Sequence, residues 1–135
     1  MPHKLMISIG VLMYAVVVPI LEINASHVFN PQWPEHARLH EVWQLVTNSA
    51  LGAWCLNLAW ARGDVRLPSL IALFVTGGFF AAYLLGPSYG GSMLHTDGTE
   101  RTLLGINVGV IGFGAVMLMS LWTLLRAPDP RDQLD

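Results

Sequence analysis

Charge is what this chain has least of. Seven Lys and Arg and nine Asp and Glu are spread through 135 residues, for a net charge of −2. No basic run or stripe is present, which excludes a nucleic-acid partner. Cysteine is nearly absent. The lone Cys55 cannot close an internal disulfide, and no neighbouring cation or base marks it as a reactive thiolate, so it reads as core. Long internal repeats are missing as well. So are the polar outer faces that the helices of a soluble bundle carry.

What is there is apolar. Hydrophobic residues make up 53% of the chain, and mean hydropathy is +0.51. Those values point to an all-α integral membrane four-helix bundle rather than a soluble domain. The spacing predicts helices over about 5–23, 34–61, 67–86 and 103–125. Each apolar segment is about 20 residues long, which at ~1.5 Å per residue matches a ~30 Å hydrocarbon slab. Residues 1–126 form one domain, and 127–135 read as a polar, disordered tail. The first segment has the basic start and apolar core of a signal peptide. No small-x-small cleavage site follows it, so it reads as a retained helix.

Lys and Arg set the expected orientation. Lys4, Arg62, Arg66, Arg126 and Arg131 fall on one side, and only Arg38 and Arg101 on the other. The positive-inside rule then gives an up-down-up-down path with both termini cytoplasmic, expected in a bacterial inner membrane. Trp60 and Trp122 fall at the inner interface, and Trp33, Trp43 and Tyr89 at the outer one.

The scarce ionisable groups gather at the outer end. The stretch "HVFNPQWPEHARLHE", His27 to Glu41, holds three of the five histidines. His95, Glu22, Asp97 and Glu100 fall on the same side. Pro34 suits the first turn of a helix and Glu35 its positive end. From there His36, His40, Gln44 and Asn48 recur every four residues, a slowly drifting stripe that descends ~18 Å. Polar groups facing lipid are costly, so the stripe is expected to face the bundle or a neighbouring subunit. Glu22, Asn24, Asn107 (one turn inside the fourth helix) and Tyr83 come within reach of the same outer pocket. Plainer roles stand beside these. His36 and His40 make a hydrogen-bonding pair at the interface, Glu22 bonds the His27 loop, Gln44 and Asn48 act as interhelical glue, and Asp97-Gly98 is a turn. Small residues at Gly105, Gly109 and Gly112, and at Gly78, Ala82 and Gly86, suit close helix packing or an oligomer seam.

"PEHARLH", Pro34 to His40, at the head of a second membrane helix, resembles the corresponding stretch of styrene oxide isomerase. That family has a proline-rich lead-in followed by Ala-Arg-x-His. A wider set of small four-helix membrane proteins is similar, with "HVFNPQWPEHAR" as a near signature. The resemblance implies a trimer with haem b at the protomer interface and His40 as the axial ligand. It implies a Lewis-acidic haem that turns an epoxide into a carbonyl on a small hydrophobic substrate drawn from the lipid bilayer. Asn48 and Tyr83 are the candidates for positioning the substrate, with Glu22 as a further catalytic candidate. Asn48 lies further beyond His40 than the family spacing, a departure that bears on the reaction more than on the fold. The His36 and His40 pair is a second departure and also suits a divalent transition metal, with His27 or His95 as alternative ligands. A third reading is a haem-binding accessory subunit without catalysis. A haem relay across the membrane is disfavoured, because the inner side has histidine only at His3.

Overall fold

The structure, a computed structural model, describes residues 1–127. The expected disordered tail and Arg131 lie outside the described residues, Ala127 apart. Four helices account for most of the chain. The first runs Pro2–Glu22, the second Glu35–Ala61, the third Arg66–Tyr89 and the fourth Val108–Arg126. The first, third and fourth are long and apolar enough to cross a membrane, as an integral membrane protein requires. The second has the length, at 27 residues, but Gln44, Thr47, Asn48 and Asn57 dilute its apolar character.

The first helix carries a defect with an identifiable cause. Met13–Val17 widens into a π-helical turn just before Pro19. Pro19 has no N–H for the carbonyl of Ala15, and its ring crowds that carbonyl. Ser49 of the second helix fills the gap: its hydroxyl donates to the Ala15 carbonyl at 2.9 Å. A chain serine thus replaces the bond that proline removed, a common repair where water is absent. Ser49→Ala removes that donor. It is expected to lower stability by about 1–3 kcal/mol, measured by thermal unfolding in detergent. An unchanged midpoint would mean that another donor reaches the carbonyl.

Both ends of the long loop after the third helix differ from the sequence expectation. The third helix continues past Gly86 to Tyr89. Pro87 is tolerated there because only one helical bond is lost so near the end. Gly90, at φ 76°, closes the helix, and the Gly91 N–H bonds the Gly86 carbonyl at 2.8 Å. The fourth helix starts at Val108 rather than near Leu103. Thr102–Leu103 and Ile106–Asn107 instead pair as a small antiparallel hairpin. Its turn places Leu104 at φ 53° and Gly105 at φ 78°, the double positive-φ pattern of a type I′ turn. Gly105 is therefore a turn residue and does not begin a helical small-residue face. Asn107 is the helix cap rather than an interior residue, its Oδ1 accepting from the Gly109 N–H at 2.7 Å.

The buried core joins all four helices through Ile7, Val11, Tyr14, Cys55, Ala72 and Val116. Cys55 is fully buried, as expected, and receives a hydrogen bond from the Tyr14 hydroxyl at 3.7 Å. The closest approaches occur at Gly10 against Val116 and at Gly52 against Ala15, where a Cβ would meet its neighbour at 3.1 Å and 2.2 Å. Gly78 has open space around it, so the expected seam on the third helix is not a packing face within the chain. Basic residues dress indoles at the end opposite His27, His36, His40 and His95. The Lys4 ammonium sits 5.7 Å from the Trp60 ring and the Arg126 guanidinium 4.9 Å from the Trp122 ring.

Candidate functional site

The loop 23–34, between the first and second helices, is built by short-range side-chain bonds. Asn24 Oδ1 accepts from the Ser26 N–H at 2.7 Å and from the Ser26 hydroxyl at 2.6 Å. Asn30 is almost fully buried. Its Nδ2 donates to the Ser26 carbonyl at 3.0 Å and to Thr96 Oγ1 at 3.3 Å, and its Oδ1 accepts from the Gln32 N–H at 2.9 Å. Asn30 therefore staples this loop to the 90–101 loop. The sequence reading passed over it. The Asn-Pro dipeptide at 30–31 was the available signal, as an initiator of turns.

His27 is the centre of this loop. Its Nε2 lies 2.9 Å from Glu22 Oε2 and its Nδ1 2.8 Å from Ser26 Oγ. The plainer expectation for Glu22, that it bonds the His27 loop, is what the geometry gives. Both ring nitrogens of His27 are occupied, so it does not offer a metal the free nitrogen the alternative reading required. The ring stands edge-on to Trp33 at 5.4 Å and to His95 at 5.2 Å. Burial holds His27 below the usual imidazole range, and His95 and Arg101 add to this while Glu41 opposes it. The Glu22 contact alone favours the charged ring, and burial outweighs it.

The sign for stability follows. The folded state resists protonating His27, so this stability is fully present above the ordinary imidazole range and is lost as pH falls through the lowered folded value. Acidification from about pH 7 to about pH 5 is expected to speed amide exchange at Val28 and Asn30, whose N–H groups bond the Glu22 and His27 carbonyls. Exchange that slows on acidification, after correction for intrinsic rates, would reverse this assignment.

His95 closes a turn with Asp97 and Gly98. The His95 carbonyl accepts from the Gly98 N–H at 2.9 Å, with Gly98 at φ 77°. Thr99 donates its N–H and hydroxyl to Asp97 Oδ1, and those two bonds hold the Asp97 carboxyl below the usual range. The turn expected from Asp97-Gly98 is present.

The polar stripe of the second helix does not share one face. At ~100° per residue, each four-residue step turns ~40°, so His36 and Asn48 differ by ~120°. Leu45, Gly52, Cys55 and Ala59 mark the buried face. His36, His40 and Gln44 are exposed on the chain, and Asn48 is half-buried. The imidazoles therefore do not point into the four-helix core. His40 Nε2 and His36 Nε2 are 3.0 Å apart, with ring centroids at 4.5 Å. Below them lies an open groove of about 610 Å³. His40, Glu41, Gln44, Thr47 and Asn48 line it together with Trp33 and Trp43.

His40 and Asn48 thus share a groove, with His36 bonded to His40 above it. Glu22 and His27 stand behind Trp33 as its support. Tyr83 lies elsewhere, on a second groove at the end of the third helix, and the single chain does not bring it to His40. Among the described residues no group of three or more His, Cys, Asp or Glu side chains is arranged to hold a metal ion. Comparison with protein-family models, curated proteins and solved structures returned no match to this chain.

Proposed function

We propose that this chain is an integral membrane enzyme whose second-helix groove binds haem b through His40 and isomerises a small lipophilic substrate, epoxide to carbonyl. The observation that carries the reading is the shared groove. His40 and Asn48 border one open cleft that two indoles also line, on a helix face that no other helix of the described chain covers. The Pro34–His40 resemblance to styrene oxide isomerase supports the same assignment. In this reading the helices run up-down-up-down with both termini cytoplasmic, in a bacterial inner membrane, and the groove lies near the extracytoplasmic face. Gln44 and Thr47 are exposed and poorly suited to lipid. A second copy of the chain therefore covers the face, as a trimer by resemblance.

The residues present fit the group. Haem iron takes an imidazole nitrogen; His40 Nε2 meets His36 Nε2 at 3.0 Å, so coordination through that atom would require the contact between the two rings to open. Two indoles, Trp33 and Trp43, are among the residues that line the groove. When bound, the haem supplies a Lewis-acidic iron. His40 would hold it, with the edge-on packing of the His36 ring at 4.5 Å fixing the orientation of His40. The Asn48 carboxamide, two turns deeper, has both a donor and an acceptor with which to orient the substrate oxygen. Trp33 and Trp43 exclude water, and the Glu22–His27 contact holds Trp33 in place as a positioning element.

The His36–His40 pair favours a second reading. With metal–nitrogen distances of about 2.1 Å, a 3.0 Å nitrogen separation corresponds to an angle of roughly 90° at the metal. That suits neighbouring positions of a tetragonal or octahedral divalent ion better than a tetrahedral one. The remaining ligands would come from water or from a second chain.

An absorbance spectrum of the purified protein, with and without reductant, separates these readings. The haem reading expects a Soret band that shifts on reduction, together with turnover of a small aryl epoxide. A Soret band without turnover makes the chain a haem-binding accessory subunit. A stoichiometric divalent metal without that band supports the paired-histidine site, and neither signal removes both.

A further inference from the structure

The third helix ends in a second groove, of about 500 Å³, that the haem reading does not use. Phe79, Tyr83, Tyr89, Met93 and Glu100 line it. Its rings are fixed in advance. The Tyr89 hydroxyl donates to the Ala82 carbonyl at 2.8 Å. The Tyr89 ring lies so close over Gly91 that a Cβ there would meet it at 2.4 Å. Phe79 and Tyr83 stack with planes 7° apart, and Phe79 leans on Phe113 at 4.6 Å. Asn107 Nδ2 donates to Glu100 Oε1 at 3.0 Å, which aims the carboxylate without cancelling its charge. Among the described residues no Lys, Arg or His nitrogen lies within 4.0 Å of that carboxylate. Pro87 adds a weaker negative element, since it has no N–H for the Tyr83 carbonyl.

We propose that this groove binds a small organic cation through a methylated ammonium head. Aromatic faces are electronegative and attract a cation within about 6 Å of the ring centre, and the carboxylate supplies the opposing charge. Beside the three aromatic residues, Ala82, Pro87, Met93 and Leu94 present apolar carbon to the groove, so the wall favours a head that carries methyls in place of ammonium N–H groups. The carboxylate disfavours anionic ligands, and a neutral apolar ligand leaves it without a partner. The volume falls in the range of small-molecule pockets. The head belongs either to a soluble cation or to the headgroup of a lipid. The site is separate from the haem assignment, and only the lipid arm of its test uses the membrane reading.

The test uses the full chain in a neutral detergent, with choline and its uncharged isostere 3,3-dimethylbutanol as probes in ligand-observed NMR. Choline is expected to bind at least about tenfold more tightly than the isostere. Tyr89→Leu should weaken choline about tenfold and Glu100→Gln about threefold, while Tyr89→Phe, which keeps the ring, retains most of the binding. Circular dichroism identifies any variant that has failed to fold, and Tyr89→Phe against Tyr89→Leu then carries the comparison. In the second arm, phosphatidylcholine and phosphatidylglycerol nanodiscs are compared. Retention of phosphatidylcholine that is sensitive to Tyr89→Leu, without choline binding, assigns the site to a lipid headgroup. Equal binding of choline and isostere, or no effect of Tyr89→Leu in either arm, overturns the proposal.

Discussion

If the second-helix groove holds haem as proposed, His40→Ala is expected to remove the Soret absorbance of the purified protein altogether while leaving its helical content and membrane insertion intact. Two features separate cofactor loss from unfolding. His40 is exposed on the chain and makes no bond to the core. Its Nε2 meets only His36, and its ring tilts against Trp43 at 5.7 Å. Alanine is also a better helix former than histidine, so the second helix loses nothing locally. His36→Ala should act more gently. It removes the ring that packs edge-on against His40 at 4.5 Å, and the loss of such an orienting neighbour typically costs 10–100-fold in affinity. Its expected signature is a retained but weakened band, recovered by adding haem. Asn48→Leu should keep the band and lower turnover. A His40→Ala protein with an unaltered spectrum would move the cofactor off this helix. A His36→Ala protein that loses the band as fully as His40→Ala would favour a site needing both rings, the paired-metal geometry.

Much of this arrangement was legible in the residues, because hydropathy and turn chemistry act locally. The four helices, the Gly-rich loop and the Asp97-Gly98 turn follow from them. The Glu22–His27 contact was also within reach, since a carboxylate at a helix end five residues from an imidazole has few other partners. Three features were not legible. The double positive-φ turn at Leu104 and Gly105 needs a leucine in a conformation that leucine rarely adopts, so the apolar run hid a hairpin. The donor that repairs the π-helical turn is Ser49, thirty-four residues from the carbonyl it serves. The four-residue spacing of His36 to Asn48 read as one stripe, yet its rotation carries the first two rings away from the core and only Asn48 toward it. Which way a polar face points is a tertiary fact.

The glycines give the sharpest case. Regular small-residue spacing drew attention to Gly78 and Gly105, and neither meets another helix. The tight crossing is at Gly52, where a Cβ would stand 2.2 Å from the Ala15 Cβ and 3.3 Å from Val11 Cγ1. Both of the closest atoms are fixed to backbones or to a stiff β-branched side chain, so no rotamer change makes room. Carbon atoms pack at about 3.5–4.0 Å, so Gly52→Ala must push the first and second helices apart by more than an ångström. The same movement pulls Ser49, one turn away, from the carbonyl that Pro19 left bare. Overpacking of this kind costs about 1–3 kcal/mol, and a lost bond to a buried carbonyl adds to it. Helix propensity works the other way, because alanine in place of an interior glycine gains about 1 kcal/mol, yet the clash and the lost bond together exceed it. Gly52→Ala is therefore expected to lower the thermal midpoint in detergent markedly. Adding Ala15→Gly, which removes the opposing methyl, should restore much of the loss despite the cost of a second helical glycine. That non-additivity identifies a direct contact, because independent sites sum. If the two single substitutions add, the crossing is not where Gly52 meets Ala15. If they compensate, the first and second helices are locked at the level of the proline defect, and the outer loop that holds His27 and Trp33 is anchored just above that lock.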